Sequence, residues 1–382
     1  MAYRNLRDFI ALLERKNLLR RVLVPVSTRM EITEIADRVS KEQGPALLFE
    51  RVQDSAFPVL INAFGTFERM KLALEVEDLD APARRLRELL APPSSSGLLD
   101  KLRMLPQLLR MSRFLPRVVN RAPCQELVLT AASGSAPGKL LDLLPVLHCW
   151  PGDGGPFITL PMVITRDPET GIQNMGMYRM HVYDNTTTGM HWHPHKDGHR
   201  HYLKYEKAGK RMEAAVALGG DPATIYAATA PLPPDVDEMI FAGFLRQEPV
   251  DLVKARTVDL LVPAEAEFVL EGYLDPKERR AEGPFGDHTG FYSPVGDFPV
   301  FHVTALTHRR DAIYPATVVG KPPMEDCYMA KATERIFLPL LQLVLPEIVD
   351  INLPLEGVFH NCALVSIRKT YPGQGKKVLS AL

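Results

Sequence analysis

The sequence predicts a mixed α+β chain of several domains, and three observations carry that expectation. The chain has 382 residues, more than a single hydrophobic core usually holds. Near the N-terminus, strand and helix patterns alternate, which predicts an α/β domain. From about residue 125 to residue 310 the texture changes to short apolar runs punctuated by Gly, Pro and Asp, which predicts a sheet or barrel.

The elements follow in order. Leu6, Phe9, Ile10 and Leu13 fall at i, i+3, i+4 and i+7, with Arg4, Asp8 and Arg15 elsewhere, so the first element is an amphipathic helix. "LRRVLVPV" reads as a strand stopped by Pro25, "MEITEIADRVSKEQGP" as a helix closed near Gly44, and "ALLFERV" and "PVLINAF" as strands. "APPSSSG", residues 91 to 97, has linker composition. The next stretch carries Lys101, Arg103, Arg110, Arg113, Arg117 and Arg121 and no acid between Asp100 and Glu126. Its plainer reading is a solvated helix pair broken at Pro106 and Pro116; the other is a surface for a membrane or an amphiphilic substrate. The strands expected next are "FITLPMVITRD", "NMGMYRMHVYD", "RMEAAVALG", "VDLLVPAEAEFVLEGYL" and "PVFHVTALTHR". A helix, a strand and a last helix opening at Gly373 or Gly375 complete the chain, and that last helix has room for only about two turns.

Composition removes several function classes. Hydrophobic residues make up 46% and charged residues 24%, with a formal net charge of −1, so no bulk field points to nucleic acid. The four cysteines, Cys124, Cys149, Cys327 and Cys362, are far apart and contain no CxxC, which fits a reducing compartment rather than a disulfide framework or thiolate metal site. The charged N-terminus is unlike a signal peptide, and no apolar run approaches the length of a membrane span. A cytoplasmic protein is expected, with peripheral membrane contact only on the second reading of the basic stretch.

Four segments hold residues that could carry chemistry. In "RRAEGPFGDHTGFYSP", residues 279 to 294, Glu282 and Asp287 stand five residues apart among Gly283, Pro284, Gly286 and Gly290. Neither helix nor strand puts that spacing on one face. A turn could aim both acids into one space for proton transfer, or be an ordinary solvated turn. "HWHPHKDGHRHY" holds His191, His193, His195, His199 and His201. Three of them would share a face if the segment were extended, which allows a zinc-dependent hydrolase; a polar loop with one meaningful ligand is the simpler reading. In "GIQNMGMYRMHVYDN", Asn174 and Arg179 interrupt an apolar strand and would face opposite ways unless Gly176 marks a bulge. Finally, small residues from Gly219 to Ala230 lead to a helix start at Asp235 or Asp237, with Glu238 in its first turn.

Together "QNMGMYR", "GGDPATIYAATAPLP", "DEMIFAGFLR", "VPAEAEFVLEGY" and "EGPFGDHTGFY" resemble the UbiD family of decarboxylases, and the similarity runs over nearly the whole chain. The resemblance implies an N-terminal α/β domain (1–120), a split β-barrel that binds prenylated FMN (121–310) and a partial C-terminal α/β domain (311–382), since family members continue past the position of Leu382. It implies a divalent metal, usually manganese and often with potassium, held by Asn174, His195 and Glu238. Gly176, Met177, Tyr178 and Arg179 would border the flavin, as would Ala228 and Thr229, whose carbonyls could meet the potassium ion. Arg179, Glu282 and Asp287 match the catalytic trio: Arg179 holds the substrate carboxylate, Glu282 switches protonation, and Asp287 protonates the carbon after CO2 leaves. The implied partners are an aromatic or unsaturated acid, a flavin prenyltransferase that supplies the cofactor, and further copies of the chain in a dimer or hexamer. His288 and the other four histidines receive no role. A non-catalytic flavin- or metal-binding subunit is the remaining alternative.

Overall fold

The computed structural model describes residues 3–53, 55–90, 112–131 and 138–382. The "APPSSSG" stretch and the basic residues Lys101, Arg103 and Arg110 lie outside them. Arg113, Arg117 and Arg121 are described and exposed, and Arg117 forms a two-pronged pair with Asp251 at 2.7 and 2.8 Å.

The first helix spans Leu6–Arg15 and buries Leu6, Phe9, Ile10 and Leu13, the stripe the periodicity predicts. Asn5 caps it by accepting the N–H groups of Arg7 and Asp8, which otherwise lack partners. The strands Leu19–Val22, Ala46–Phe49 and Val59–Ile61 form a mixed sheet, and the two-residue strand Tyr314–Pro315 pairs in parallel with Val59–Ile61. The N-terminal sheet therefore takes one strand from far along the chain.

The centre is a nine-stranded antiparallel sheet. Its path runs Phe157–Ile158, Met180–Val182, Thr187–Met190, Gly296–His308, Phe268–Glu282, Met212–Leu218, Met162–Arg166, Gln173–Met177, with Leu127–Thr130 also paired to Gly296–His308. Met180–Val182 and Gln173–Met177 are six steps apart on that path. A flat sheet would separate them by roughly 30 Å. Only Tyr178 and Arg179 join them in sequence, so Met177 and Met180 are at most about 11 Å apart. The sheet must curl until its edges nearly meet. The edges do not pair, which makes it an open half-barrel.

Both faces of this sheet are covered, so its strands read as continuous apolar runs rather than strict alternation. Met162 and Ile164 pack into one core with Leu6, Phe9 and the helix Glu238–Arg246; Val163 points into a second core with Phe268, Leu270 and Phe301. Three runs expected as single strands are each divided, and "NMGMYRMHVYD" gives Gln173–Met177 and Met180–Val182. "FITLPMVITRD" gives Phe157–Ile158 and Met162–Arg166, because Pro161 has no N–H for a ladder. "VDLLVPAEAEFVLEGYL" gives Leu261–Pro263 and Phe268–Glu282, parted by a turn after Pro263.

The C-terminal part opens with the helix Glu325–Val344, followed by paired strands Ile348–Asn352 and Leu364–Ile367 and the eight-residue helix Gln374–Ala381. Gly373 caps that last helix in a left-handed conformation, φ +88°. All four cysteines are free. Among the described residues no helix is long and apolar enough to cross a membrane.

Candidate active site

The acidic stretch is a kinked extension of the main sheet. Glu282 is the last residue of the 15-residue strand Phe268–Glu282 and pairs with Gly296. Gly283 then takes φ +98°, a conformation open to glycine. Beyond it Phe285–Gly286 pairs with Tyr292–Ser293 as a small hairpin whose tip carries Asp287 and His288. Asp153 holds the hairpin from outside, accepting the Gly286 N–H at 2.7 Å and the Trp150 N–H at 2.9 Å. Gly286 leaves room for Trp150: a Cβ there would lie 2.1 Å from the indole.

This geometry brings both acids to Arg179. The Arg179 guanidinium donates from Nε to Glu282 Oε1 at 2.9 Å and from Nη2 to Oε2 at 3.2 Å. Its Nη2 also donates to Ser293 Oγ at 3.0 Å, and its Nη1 lies 3.6 Å from Asp287 Oδ2. Phe285 backs the guanidinium, with its ring centre 4.3 Å away. His191 Nδ1 adds a bond to Glu282 Oε2 at 3.0 Å, and His288 Nδ1 sits 2.9 Å from Asp287 Oδ1. The Glu282 side chain is fully buried. Burial alone would raise its pKa, but the bonds from His191 and Arg179 outweigh that and hold it at about 2. Burial likewise pushes Asp287 up, and His288 overrides it, again to about 2. His288 is raised in turn: its burial opposes charging, and the Asp287 bond wins.

A second group lies across the mouth of the half-barrel. Glu238 is the first residue of the helix Glu238–Arg246, which Asp237 caps, the later of the two predicted starts. Its carboxylate accepts from Asn174 Nδ2 at 2.7 Å and from the Met175 N–H at 2.8 Å. Burial raises its pKa to about 8. Among the described residues Asn174 Oδ1 is buried without a hydrogen-bond partner. A buried orphan amide oxygen beside a carboxylate that, among the described residues, has no cationic partner is a donor set suited to a hard divalent cation. His195 stands apart from them. It is exposed, its ring is 5.8 Å from that of His193, and no hydrogen bond joins it to Asn174 or Glu238 among the described residues.

Gly176, Met177 and Tyr178 lie on the same rim, where the Met177 N–H bonds the Ala228 carbonyl at 2.8 Å and Thr229 Oγ1 bonds the Tyr226 carbonyl at 2.7 Å. Gly176 is not a bulge. It pairs in register with Val163 inside a regular ladder. Asn174 and Arg179 diverge because the chain leaves one sheet edge after Met177 and joins the strand next to the opposite edge at Met180.

The rings of His191, His193 and His195 follow one another, centres 4.9 and 5.8 Å apart, and the other two histidines lie elsewhere. His191 joins Glu282, His199 bonds the Pro194 carbonyl, and His201 is buried against Thr165 and Asp167. Among the described residues no three of them form a metal-ligand set; the one such group of His, Cys or acids is Asp275, Glu278 and His302. Sequence reasoning missed His191, Ser293 and Phe285 as neighbours of the trio. Ser293 and Phe285 stood in the quoted acidic stretch, but only the hairpin pairing turns them toward Arg179. No local signal marked His191.

Three family models match the chain. Residues 10–90 match the 3-octaprenyl-4-hydroxybenzoate carboxy-lyase N-terminal domain, 117–322 its Rift-related domain and 327–382 its C-terminal domain. An uncharacterized protein of Archaeoglobus fulgidus is 55% identical over all of this chain and 78% of its own length. One of Aquifex aeolicus is 49% identical over the same shares. Among solved structures, an evolved dimeric form of the UbiD-class enzyme HmfF from Pelotomaculum thermopropionicum, in complex with prFMN, superposes with a TM-score of 0.84 at 31% identity, covering 99% of this chain and 82% of that one. Vanillic acid decarboxylase of Sedimentibacter hydroxybenzoicus in its closed form gives 0.84 at 28% identity, covering 100% of this chain and 77% of that one.

Proposed function

Because this chain belongs to the UbiD family of carboxy-lyases, we propose that it decarboxylates an aromatic or α,β-unsaturated acid, of the polyprenyl-4-hydroxybenzoate or related quinone-precursor type. The observation that carries the reading is the convergence of Glu282 and Asp287 on Arg179. When bound, prenylated FMN supplies the electron sink for the electron pair that CO2 leaves behind. Asn174 and Glu238, with His195 from the adjoining loop, would hold a divalent ion such as manganese. Gly176, Met177, Tyr178, Ala228 and Thr229 would border the flavin, and the Ala228 and Thr229 carbonyls would serve potassium.

The chain's own residues then divide the work. Arg179 offers its guanidinium to the substrate carboxylate. That anion draws Arg179 away from the two acids and adds a like charge beside them, and both effects raise their pKa values from about 2. Asp287 can then take up a proton and deliver it to the carbon that loses CO2, while Glu282 cycles between charged and neutral forms. Substrate binding itself thus arms the acids, which in the free protein are ionised at neutral pH.

The test uses protein co-expressed with a flavin prenyltransferase and assayed for CO2 release against a panel of aromatic and unsaturated acids. Glu282→Gln and Asp287→Asn should each abolish release while the flavin absorbance persists. Wild-type turnover in the double variant would sink the assignment.

A further inference from the structure

Glu282 is fully buried, yet in the reaction proposed above it changes protonation in each cycle. Its proton needs a route. Arg179 donates two hydrogen bonds to it but cannot give up a proton. Among the described residues the other hydrogen-bond partner of the carboxylate is His191, whose Nδ1 lies 3.0 Å from Oε2. Imidazole is the side chain that exchanges protons readily near neutral pH. We propose that His191 is the proton conduit between Glu282 and solvent, a positioning and relay residue that acts through Glu282; the inference rests on the reading of Glu282 given above.

The surroundings suit that task. The His191 side chain is 14% exposed, so it touches solvent where Glu282 does not. Its ring lies flat against Phe298, centres 4.3 Å apart at 29°, which fixes the plane of the imidazole. His193 meets its edge at 4.9 Å. The His191 N–H bonds the Arg179 carbonyl at 3.3 Å, so backbone and side chain tie the histidine to the arginine–glutamate pair. The charged or titratable groups facing the ring are thus Glu282, Arg179 and His193, with uncharged Phe298 on its face. In the forward step protonated His191 passes its Nδ1 proton to Glu282 Oε2, leaving a neutral imidazole and a carboxylic acid. In the reverse step that proton returns to Nδ1 and the second ring nitrogen releases one to water.

The test compares Glu282→Gln, His191→Gln and His191→Ala in enzyme loaded by co-expression with a flavin prenyltransferase, using a panel acid that the wild type decarboxylates. Glutamine keeps an N–H donor toward Glu282 but can neither release nor take up a proton. His191→Gln should therefore lose about tenfold or more in kcat with KM and flavin spectrum unchanged. His191→Ala should lose a similar factor and recover in proportion to added imidazole. A second readout needs no flavin: after a drop in pH, the infrared band of protonated Glu282, assigned by its loss in Glu282→Gln, should appear about tenfold more slowly in His191→Gln. Wild-type kcat and wild-type protonation rate in His191→Gln would overturn the conduit. If Glu282→Gln itself turned over normally, the fault would lie in the reading of Glu282 instead.

Discussion

Replacing Glu282 with glutamine tests the electrostatics of the site without any ligand. In the folded chain the carboxyl titrates at about 2, against 4.5 for an unperturbed glutamate. At about 1.36 kcal/mol per pH decade, that difference corresponds to roughly 3 kcal/mol of folding stability. The sign follows from the direction of the shift. A depressed carboxyl stabilises the folded state above its unfolded pKa, here 4.5, and loses that contribution as the pH falls toward 2. Between pH 6 and 3.5 the linkage relation gives a loss of about 1.4 kcal/mol. Glutamine has no such dependence. The assay is urea unfolding of the ligand-free protein at pH 7, 6, 5, 4 and 3.5, followed by the fluorescence of Trp150, which packs against Gly286, and of Trp192, which is buried. The wild type should exceed Glu282→Gln by about 3 kcal/mol at neutral pH, and the gap should shrink to about 2 kcal/mol at pH 3.5. A gap that stays constant over this range, or is absent at pH 7, would refute the view that Arg179 and His191 hold Glu282 ionised.

Three further outcomes follow from the geometry. Gly286→Ala should cost about 1–3 kcal/mol and shift the Trp150 emission, because its Cβ would fall 2.1 Å from the indole; Gly375→Ala, with nothing within 4 Å, is the control that should leave stability unchanged or improved. Asn174→Ala and Glu238→Gln should each weaken manganese binding at least about tenfold in calorimetric titrations of the flavin-free protein, and unaltered affinity in both would remove them from the metal site. His288→Phe deletes the bond that outweighs burial at Asp287, so the Asp287 carboxyl resonance, assigned with Asp287→Asn, should titrate at a higher pH than in the wild type.

The sequence made some of this legible and hid the rest for physical reasons. The stripe Leu6, Phe9, Ile10 and Leu13 was readable because helix periodicity is local, and so was the start of the helix at Asp237, where a capping aspartate precedes an apolar run. The glycines around Glu282 and Asp287 announced a turn, but whether it was a solvated loop or a site depended on Arg179, about a hundred residues earlier. His191 was hidden among five similar residues. Only its position beyond the strand Thr187–Met190, which neighbours both Met180–Val182 and Gly296–His308, separates it from His199 and His201 on the helix Asp197–Lys207.

The spacing of Asn174 and Arg179 shows most directly how topology decides chemistry. In one strand, residues five apart point to opposite faces, and a bulge at Gly176 would have been the economical repair. The chain instead abandons the strand. It crosses the mouth of the half-barrel in two residues, leaving Asn174 on the rim with Glu238 and setting Arg179 on the rim with Glu282. Both rims are anchored at the crossing, the Met177 N–H to Ala228 and the Arg179 carbonyl to His191. The candidate metal pair and the Arg179, Glu282 and Asp287 cluster are therefore held apart by a connection too short to vary by more than a few ångströms. This fold thus sets the separation of Asn174 and Glu238 from Arg179 and Glu282 by its backbone rather than by any side chain.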